Sequence, residues 1–422
     1  MKVLWFTTSP MPEMLGQSPS DHAGTGSWVV ALLQALATVP GMNIAVACAG
    51  RGLSNTEINV SENIRFYPIS QGRAIPIFHF RKPDNDPRYL EACSQIAKKV
   101  APDIIHIHGT ERFYGLLGAR KLVSAPCVIS LQGILQEYSK HHLYFGAVSL
   151  GSLLRHPDPL HLLRGSGPVC DYFHICRAAK REVEILKGNR YYMGRTLWDR
   201  AHLRAINTNA RYFHVPELLR TGFYQKQWNL DSCRRHRVLF TNANTFSRGT
   251  EILIEAIAIL KRQFLDVTLA LAGGVEQLSY GKHLREMITR LGLSNAVEFL
   301  GRLNQQQIVD QLCQSHVFAI ASYLENSSNS LCEAQLVGLP CVASYVGGTP
   351  SLVEGGKTGL LFPSGDAAVL AEQIADVFNN DDLAGRLGNN ARESALQRHS
   401  PDVVVRTLVN TYNTIISEAG KQ

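Results

Sequence analysis

Two carboxylates eight residues apart, Glu325 and Glu333, are the residues of this chain whose types and spacing say most about chemistry. They lie in Ser322-Tyr323-Leu324-Glu325-Asn326-Ser327-Ser328-Asn329-Ser330-Leu331-Cys332-Glu333-Ala334, where an apolar strand gives way to a polar loop and then to a helix ending near Gly338-Leu339-Pro340. Asn and Ser are favoured helix N-caps, so the helix starts between the two acids and turns its first main-chain N–H groups into the loop. A helix start of that kind attracts anions and suits a pyrophosphate, so Ser328, Asn329 and Ser330 are candidate phosphate contacts. Glu333, one turn in, is placed to accept hydrogen bonds from ribose hydroxyls. Glu325, ahead of the cap, is placed to reach a sugar beyond the phosphates.

The elements that must position these residues follow from hydrophobic periodicity. Short apolar runs rich in β-branched residues alternate with longer amphipathic stretches, the pattern of βα units around a parallel sheet. The first half predicts strands at 2–7, 43–48, 103–108 and 126–131, with helices at 26–38 and 88–100. A second series begins at Arg237-Val238-Leu239-Phe240-Thr241 and continues with strands at 266–272, 297–300, 316–321, 340–344 and 359–362. Helices are predicted between them at 249–264, 280–291, 304–313, 330–338 and 367–378. The polar, basic stretch 222–236 breaks the rhythm and predicts an interdomain linker, giving two doubly wound α/β domains at 1–230 and 236–398. Such sheets bind ligands beyond the carboxyl ends of their strands, so two facing domains would enclose a cleft. Residues 133–170, rich in His, Leu, Gly and Pro, read as an insertion near the cleft mouth.

Composition narrows the class. With 422 residues, 45% hydrophobic and 18% charged, the chain is neither disordered nor a membrane bundle. The net charge of +7 is unevenly held. Residues 1–235 carry 28 basic against 17 acidic side chains, and residues 236–422 carry 14 against 18. The basic half lacks aromatics interleaved at nucleic-acid-motif spacing, so an anionic acceptor or lipid is expected and DNA or RNA is not. Nine scattered cysteines without a C-x-x-C pair indicate neither a disulfide framework nor a zinc site, and a reducing cytosol fits them best. The apolar run at the N-terminus is too short for a signal-peptide core, and no run approaches the ~20 apolar residues of a spanning helix.

Glu-x7-Glu after a strand, followed by Ala334-x-x-x-Gly338-Leu339-Pro340 and Val346-Gly347-Gly348-Thr349-Pro350, resembles the donor site of the retaining glycosyltransferases of family four. The resemblance runs in register through 236–395 and implies the GT-B fold: two Rossmann-like domains facing across a cleft, with a nucleotide-sugar held mainly by the second. It implies that Val297-Glu298-Phe299-Leu300-Gly301-Arg302 is the base-contacting loop, that Leu271-Ala272-Gly273-Gly274 ends the preceding strand, and that Lys357–Phe362 is the closing strand. The final helix, 401–418, is expected to cross back onto the first domain.

Charge develops on the diphosphate leaving group as a glycosidic bond breaks, so a basic residue is required there. The family supplies an Arg and, a few residues on, a Lys-Gly after the first donor-domain strand. In Thr241-Asn242-Ala243-Asn244-Thr245-Phe246-Ser247-Arg248-Gly249, Arg248 matches the Lys, whereas Asn242 or Asn244 stands where the Arg is expected. Either Arg248 alone serves the phosphates or another residue reaches in. In the first half, Gly24 and Gly26 of Asp21-His22-Ala23-Gly24-Thr25-Gly26-Ser27-Trp28 resemble the family's glycine-rich loop and are expected at the donor. Pro102–Gly109 resembles its strand ending in His-x-His, making His108 a candidate proton handler or hydroxyl binder alongside a purely structural role. Gln132 stands at the next strand end, where many members carry His, and implies hydrogen bonding to sugar or acceptor.

The implied activity is transfer of a sugar, without a metal or other cofactor, from a nucleotide-diphosphate donor to a glycan or lipid-linked acceptor in cell-surface polysaccharide or glycoconjugate synthesis. It would take place in the cytoplasm, with possible contact at the inner face of the membrane through the basic-ended apolar stretch Lys140–His156. A buried packing role is the other reading of that stretch. An epimerase or phosphorylase on the same fold, or a sugar-nucleotide binder without turnover, are the alternatives. Asp84-Asn85-Asp86 sits between prolines and reads as a helix-entry turn rather than a metal site. Tyr192–Ala201 and Tyr212–Arg220 resemble a pattern found in a subset of the family, and Arg195 and Asp199, four apart, predict an ion pair.

Overall fold

Strand β1 (Lys2–Phe6) shows how the first sheet is held. Val3 and Trp5 point to one face and Leu4 and Phe6 to the other, and all four are fully buried, so the strand reads as a continuous apolar run. Beyond it lie β2 (Asn43–Gly50), β3 (Ile58–Asn59), β4 (Ile64–Ser70), β5 (Ile104–His108), β6 (Cys127–Ser130), β7 (Tyr191–Gly194) and β8 (Arg211–His214), in the order β3-β4-β2-β1-β5-β6-β7-β8. Every pairing is parallel except β3 with β4. The Val3/Trp5 face is covered by the helices Ser27–Ala37 and Pro401–Ala419, the latter contributing Val404, Leu408, Tyr412 and Ile415. The Leu4/Phe6 face is covered by the helices Pro87–Val100 and Pro168–Gly188.

This computed structural model describes residues 1–17, 27–72, 86–148, 167–275 and 279–421. The chain divides into one unit of Met1–Ser139, Pro159–Leu218 and Ser400–Gln422, and a second of Lys140–Asp158 and Leu219–His399. The second unit's sheet contains β9 (Arg237–Phe240), β10 (Thr268–Ala272), β11 (Val297–Gly301), β12 (Val317–Ile320), β13 (Cys341–Ser344) and β14 (Leu360–Phe362), all parallel, in the order β11-β10-β9-β12-β13-β14. The helices Thr250–Leu260, Ser279–Arg290, Gln305–Cys313, Asn329–Val337 and Ala367–Asn379 alternate with its strands.

The unit boundary falls at Leu218/Leu219, upstream of the stretch 222–236 expected as a linker. That stretch is polar overall but carries two anchors. Phe223 is fully buried, and Trp228 donates from its indole to the Ser315 carbonyl (2.8 Å) and from its main chain to that of Val337 (2.8 Å). Within the expected insertion, the described residues form short helices at Leu135–Tyr138 and His141–Phe145, while Pro168 already begins a 21-residue helix. Phe145 and Val148 of the basic-ended apolar stretch are buried, with the Phe145 ring 5.9 Å from Phe246, so these two side chains anchor it to the second unit, while Lys140, His141 and His142 are exposed. Asp86 caps the helix Pro87–Val100 through the Arg88 main-chain N–H (3.0 Å), while Asp84 and Asn85 lie outside the described residues.

Candidate functional site

The second sheet reverses direction of growth between β9 and β12: β10 and β11 lie on one side of β9, and β12, β13 and β14 on the other. Loops leaving such a switch point diverge to opposite faces and leave a crevice between them. The β9 loop carries Arg248 and the β12 loop carries Glu325, so topology alone brings these two residues, 77 apart in sequence, to one place.

The two loops meet main chain to main chain. The Tyr323 N–H donates to the Ser247 carbonyl (2.8 Å), and Gly249, at φ +64°, lies so close that a Cβ there would be 2.1 Å from the Ala321 carbonyl oxygen. The Arg248 guanidinium pairs with Glu325 Oε1, which also accepts the Ser322 hydroxyl (2.9 Å). Glu325 is 4% exposed. Its carbonyl accepts the Gly348 N–H (2.9 Å), and Gly347 sits over it at φ +49°. The acid is thus fixed by its side chain and its backbone together.

Ser328 is the N-cap of the helix Asn329–Val337, its hydroxyl accepting the Leu331 N–H. Asn329 opens the first turn with its amide oxygen enclosed and unpartnered, and Ser330 follows, half-buried. The helix N-terminus that the sequence predicts is therefore three residues past Glu325. Glu333 lies on this helix, 6% exposed, and accepts Nε (3.0 Å) and Nη2 (2.6 Å) of Arg220 on its Oε1. Burial raises the pKa of Glu333, against the pull of Arg220.

Around this core, Asn242 is exposed at φ +70° and Asn244 is half-buried in the β9 loop. Gly273, at φ +132°, directly follows β10, where a Cβ would be 2.9 Å from the Ala243 nitrogen, and the aliphatic stem of Arg302 lies over Gly274. Arg302 itself is exposed. Gly24 and Gly26 lie outside the described residues.

His108 and Gln132 belong to the first unit, at the end of β5 and just beyond β6. His108 is buried against Trp5 (4.6 Å between centroids), His106 (3.9 Å) and Trp28 (5.6 Å), and neither ring nitrogen has a hydrogen-bond partner. Burial, then His106 and Arg195, hold its pKa well below the ordinary histidine value. His106 bonds Tyr412 (2.6 Å) and Ser130 (2.7 Å), and burial followed by Arg195 lowers its pKa to about 3. Gln132 is half-buried.

Two site features escape sequence reasoning. Arg220 stands 113 residues before Glu333 with nothing local to connect them. Glu251, in the first turn of the helix Thr250–Leu260, reads as an ordinary acid at a helix N-terminus. It is instead buried and accepts the hydroxyls of Tyr280 and Tyr323 (3.2 Å), with burial raising its pKa. The predicted Arg195–Asp199 ion pair is also corrected. Thr196 caps the helix Leu197–Ile206, and Asp199 turns back to accept the Arg195 main-chain N–H (2.9 Å) and the Tyr212 hydroxyl (2.7 Å). The Arg195 guanidinium goes to Glu217 (3.2 Å).

Residues 231–394 match the family model of the glycosyl transferases group 1. The match lies entirely within the second unit and contains Arg248, Glu325 and Glu333. The D-inositol 3-phosphate glycosyltransferase of Streptomyces coelicolor is 30% identical over 175 residues, which are 40% of this chain and 38% of that protein. The chain therefore spans well under half the length of this curated relative. Among solved structures, sucrose-phosphate synthase from Thermosynechococcus elongatus superposes with a TM-score of 0.73 at 17% identity, covering 99% of this chain and 100% of that one. The Anabaena protein HepE in complex with UDP and glucose gives 0.67 at 20% identity, covering 98% and 100%. The fold of the chain is GT-B, as the sequence resemblance implied.

Proposed function

We propose that the chain is a retaining glycosyltransferase that moves a sugar from a nucleotide-diphosphate donor to a hydroxyl of a glycan or lipid-linked acceptor. The observation that carries this reading is the Arg248–Glu325 pair at the sheet's switch point, three residues before a capped helix N-terminus. In this reading a diphosphate lies on the helix amides with Arg248 opposing the charge of the departing phosphate. Glu325, anchored by Ser322 and the Gly347-Gly348 turn, orients the donor sugar, and Glu333 takes the ribose. The charge is met by guanidinium and amides, so turnover is expected to survive chelation by EDTA.

The switch-point location, the group 1 match and the UDP bound by the structurally similar HepE support a nucleotide-sugar donor. The basic surplus of residues 1–235 supports an anionic acceptor in cell-surface glycan synthesis. No described helix is long and apolar enough to cross a membrane, so a lipid-linked acceptor would be met at the membrane surface. The test is a screen of UDP-, GDP- and ADP-sugars for thermal stabilisation and nucleotide release with EDTA present, followed by NMR of the product's anomeric configuration. Release in EDTA with retained configuration is expected. Inverted product, or release that requires a metal, overturns the corresponding part of the reading.

A further inference from the structure

Glu333 is nearly buried, yet its two oxygens are used unequally. Oε1 takes both Arg220 contacts, from Nε and Nη2, whereas Oε2 makes no hydrogen bond to a described residue and is not enclosed. Arg220 is itself held in place. Its guanidinium lies 4.8 Å from the Phe223 ring centroid, over a side chain with no exposure. The main chain beside it is fixed by the Tyr224 hydroxyl, which accepts the Leu219 N–H (3.2 Å) and donates to the His399 carbonyl (2.8 Å). A planar, permanently charged fork on a rigid segment sets the rotamer of a carboxylate in a way that a lysine ammonium does not.

We infer that Arg220 is a positioning residue of the donor site, which locks Oε1 of Glu333 so that Oε2 is presented to the vicinal hydroxyls of the nucleotide's ribose. The inference rests on the assignment of Glu333 to the ribose made above. Arg220 acts only through Glu333, and it has a second effect on it. Burial favours the protonated acid and Arg220 favours the ionised one, and only the ionised carboxylate offers acceptors alone to two hydroxyls.

The experiment is a double-mutant cycle with Arg220→Met and Glu333→Gln, alone and combined, in the full chain. The dissociation constants of UDP, GDP and ADP are measured by calorimetry between pH 6 and 8.5. For a nucleotide that binds the wild type, Arg220→Met is expected to weaken affinity on the order of tenfold, the scale of a lost hydrogen bond to a charged group. The double variant should be no weaker than Glu333→Gln. Affinity of Arg220→Met should improve as pH rises, because Glu333 then needs a higher pH to ionise, while the wild type changes less. Arg220→Lys, which keeps the charge without the fork, should lie between and serves as the cycle's arm if Arg220→Met does not fold. Wild-type affinity in Arg220→Met, or losses that multiply in the double variant, overturns the inference. Wild-type affinity in Glu333→Gln overturns the ribose assignment itself, and a wild type that binds none of the three nucleotides overturns both.

Discussion

Gly347→Ala puts the backbone anchorage of Glu325 to the test. Gly347 adopts φ +49°, and a Cβ built on it would be 1.9 Å from the Glu325 carbonyl oxygen. Forcing an L side chain into the left-handed region costs about 1–2 kcal/mol. Relieving the overlap, at about 1–3 kcal/mol, requires the two main chains to separate by roughly 1 Å, and neither is a flexible side-chain tip. Together these give about 2–5 kcal/mol, a fall in Tm of roughly 5–15 °C for a unit of this size. The same displacement moves Glu325, and a 1 Å error in a positioning group costs on the order of 100-fold in rate. Circular-dichroism melting and nucleotide release from an accepted donor read the two effects separately. Gly356→Ala is the control: φ is +76° there but no atom lies within 4 Å of the added Cβ, so about 1–2 kcal/mol is lost and turnover is kept. A Gly347→Ala variant that melts with the control and turns over like the wild type would refute the reasoning.

Other expectations concern the first unit. Tyr412→Phe removes the hydroxyl that bonds both Trp5 Nε1 (3.1 Å) and His106 Nδ1 (2.6 Å) in a fully buried setting, so thermal unfolding should show a loss of about 1–3 kcal/mol, whereas an unchanged Tm would contradict the network. His106 has a folded-state pKa of about 3, far below the ~6.5 of an unfolded chain, so the unfolded state binds the extra proton between those values. Its stabilising effect is complete above about pH 6.5 and declines as pH falls toward 3. From pH 7 to pH 5 denaturant titration should reveal a loss of about 2 kcal/mol attributable to this residue, absent in a stably folded His106→Asn variant.

The βα rhythm was legible because strands buried on both faces are uninterrupted apolar runs, as in β1, β9 and β12. Segments that break that rule stayed hidden. Strand β4 carries exposed Arg65 and an internal Pro68, β7 is Tyr191-Tyr192-Met193-Gly194, and β8 is only half-buried. The 21-residue helix from Pro168 buries only Ala179, Glu182, Ile185 and Leu186, so its apolar stripe is weak. In the site, residues near each other in sequence could be read: Glu325, the Ser328 cap and Glu333 share one strand–loop–helix unit. Arg248 required the family pattern, and its pairing with Glu325 required the strand order. Arg220 and Glu251 were invisible, because a buried ion pair or carboxylate looks like a surface charge until its partners 113 and 29 residues away are placed.

In the proposed function the β9 and β12 loops form a donor site in which Arg248 and Glu325 act on a nucleotide-sugar. Single-turnover nucleotide release with an accepted donor, in EDTA, for wild type, Arg248→Ala and Glu325→Ala tests it most directly. A loss on the order of 100-fold or more is expected in each variant, the scale of a group that stabilises developing charge or positions the sugar. Wild-type release by correctly folded Glu325→Ala and Arg248→Ala would contradict it.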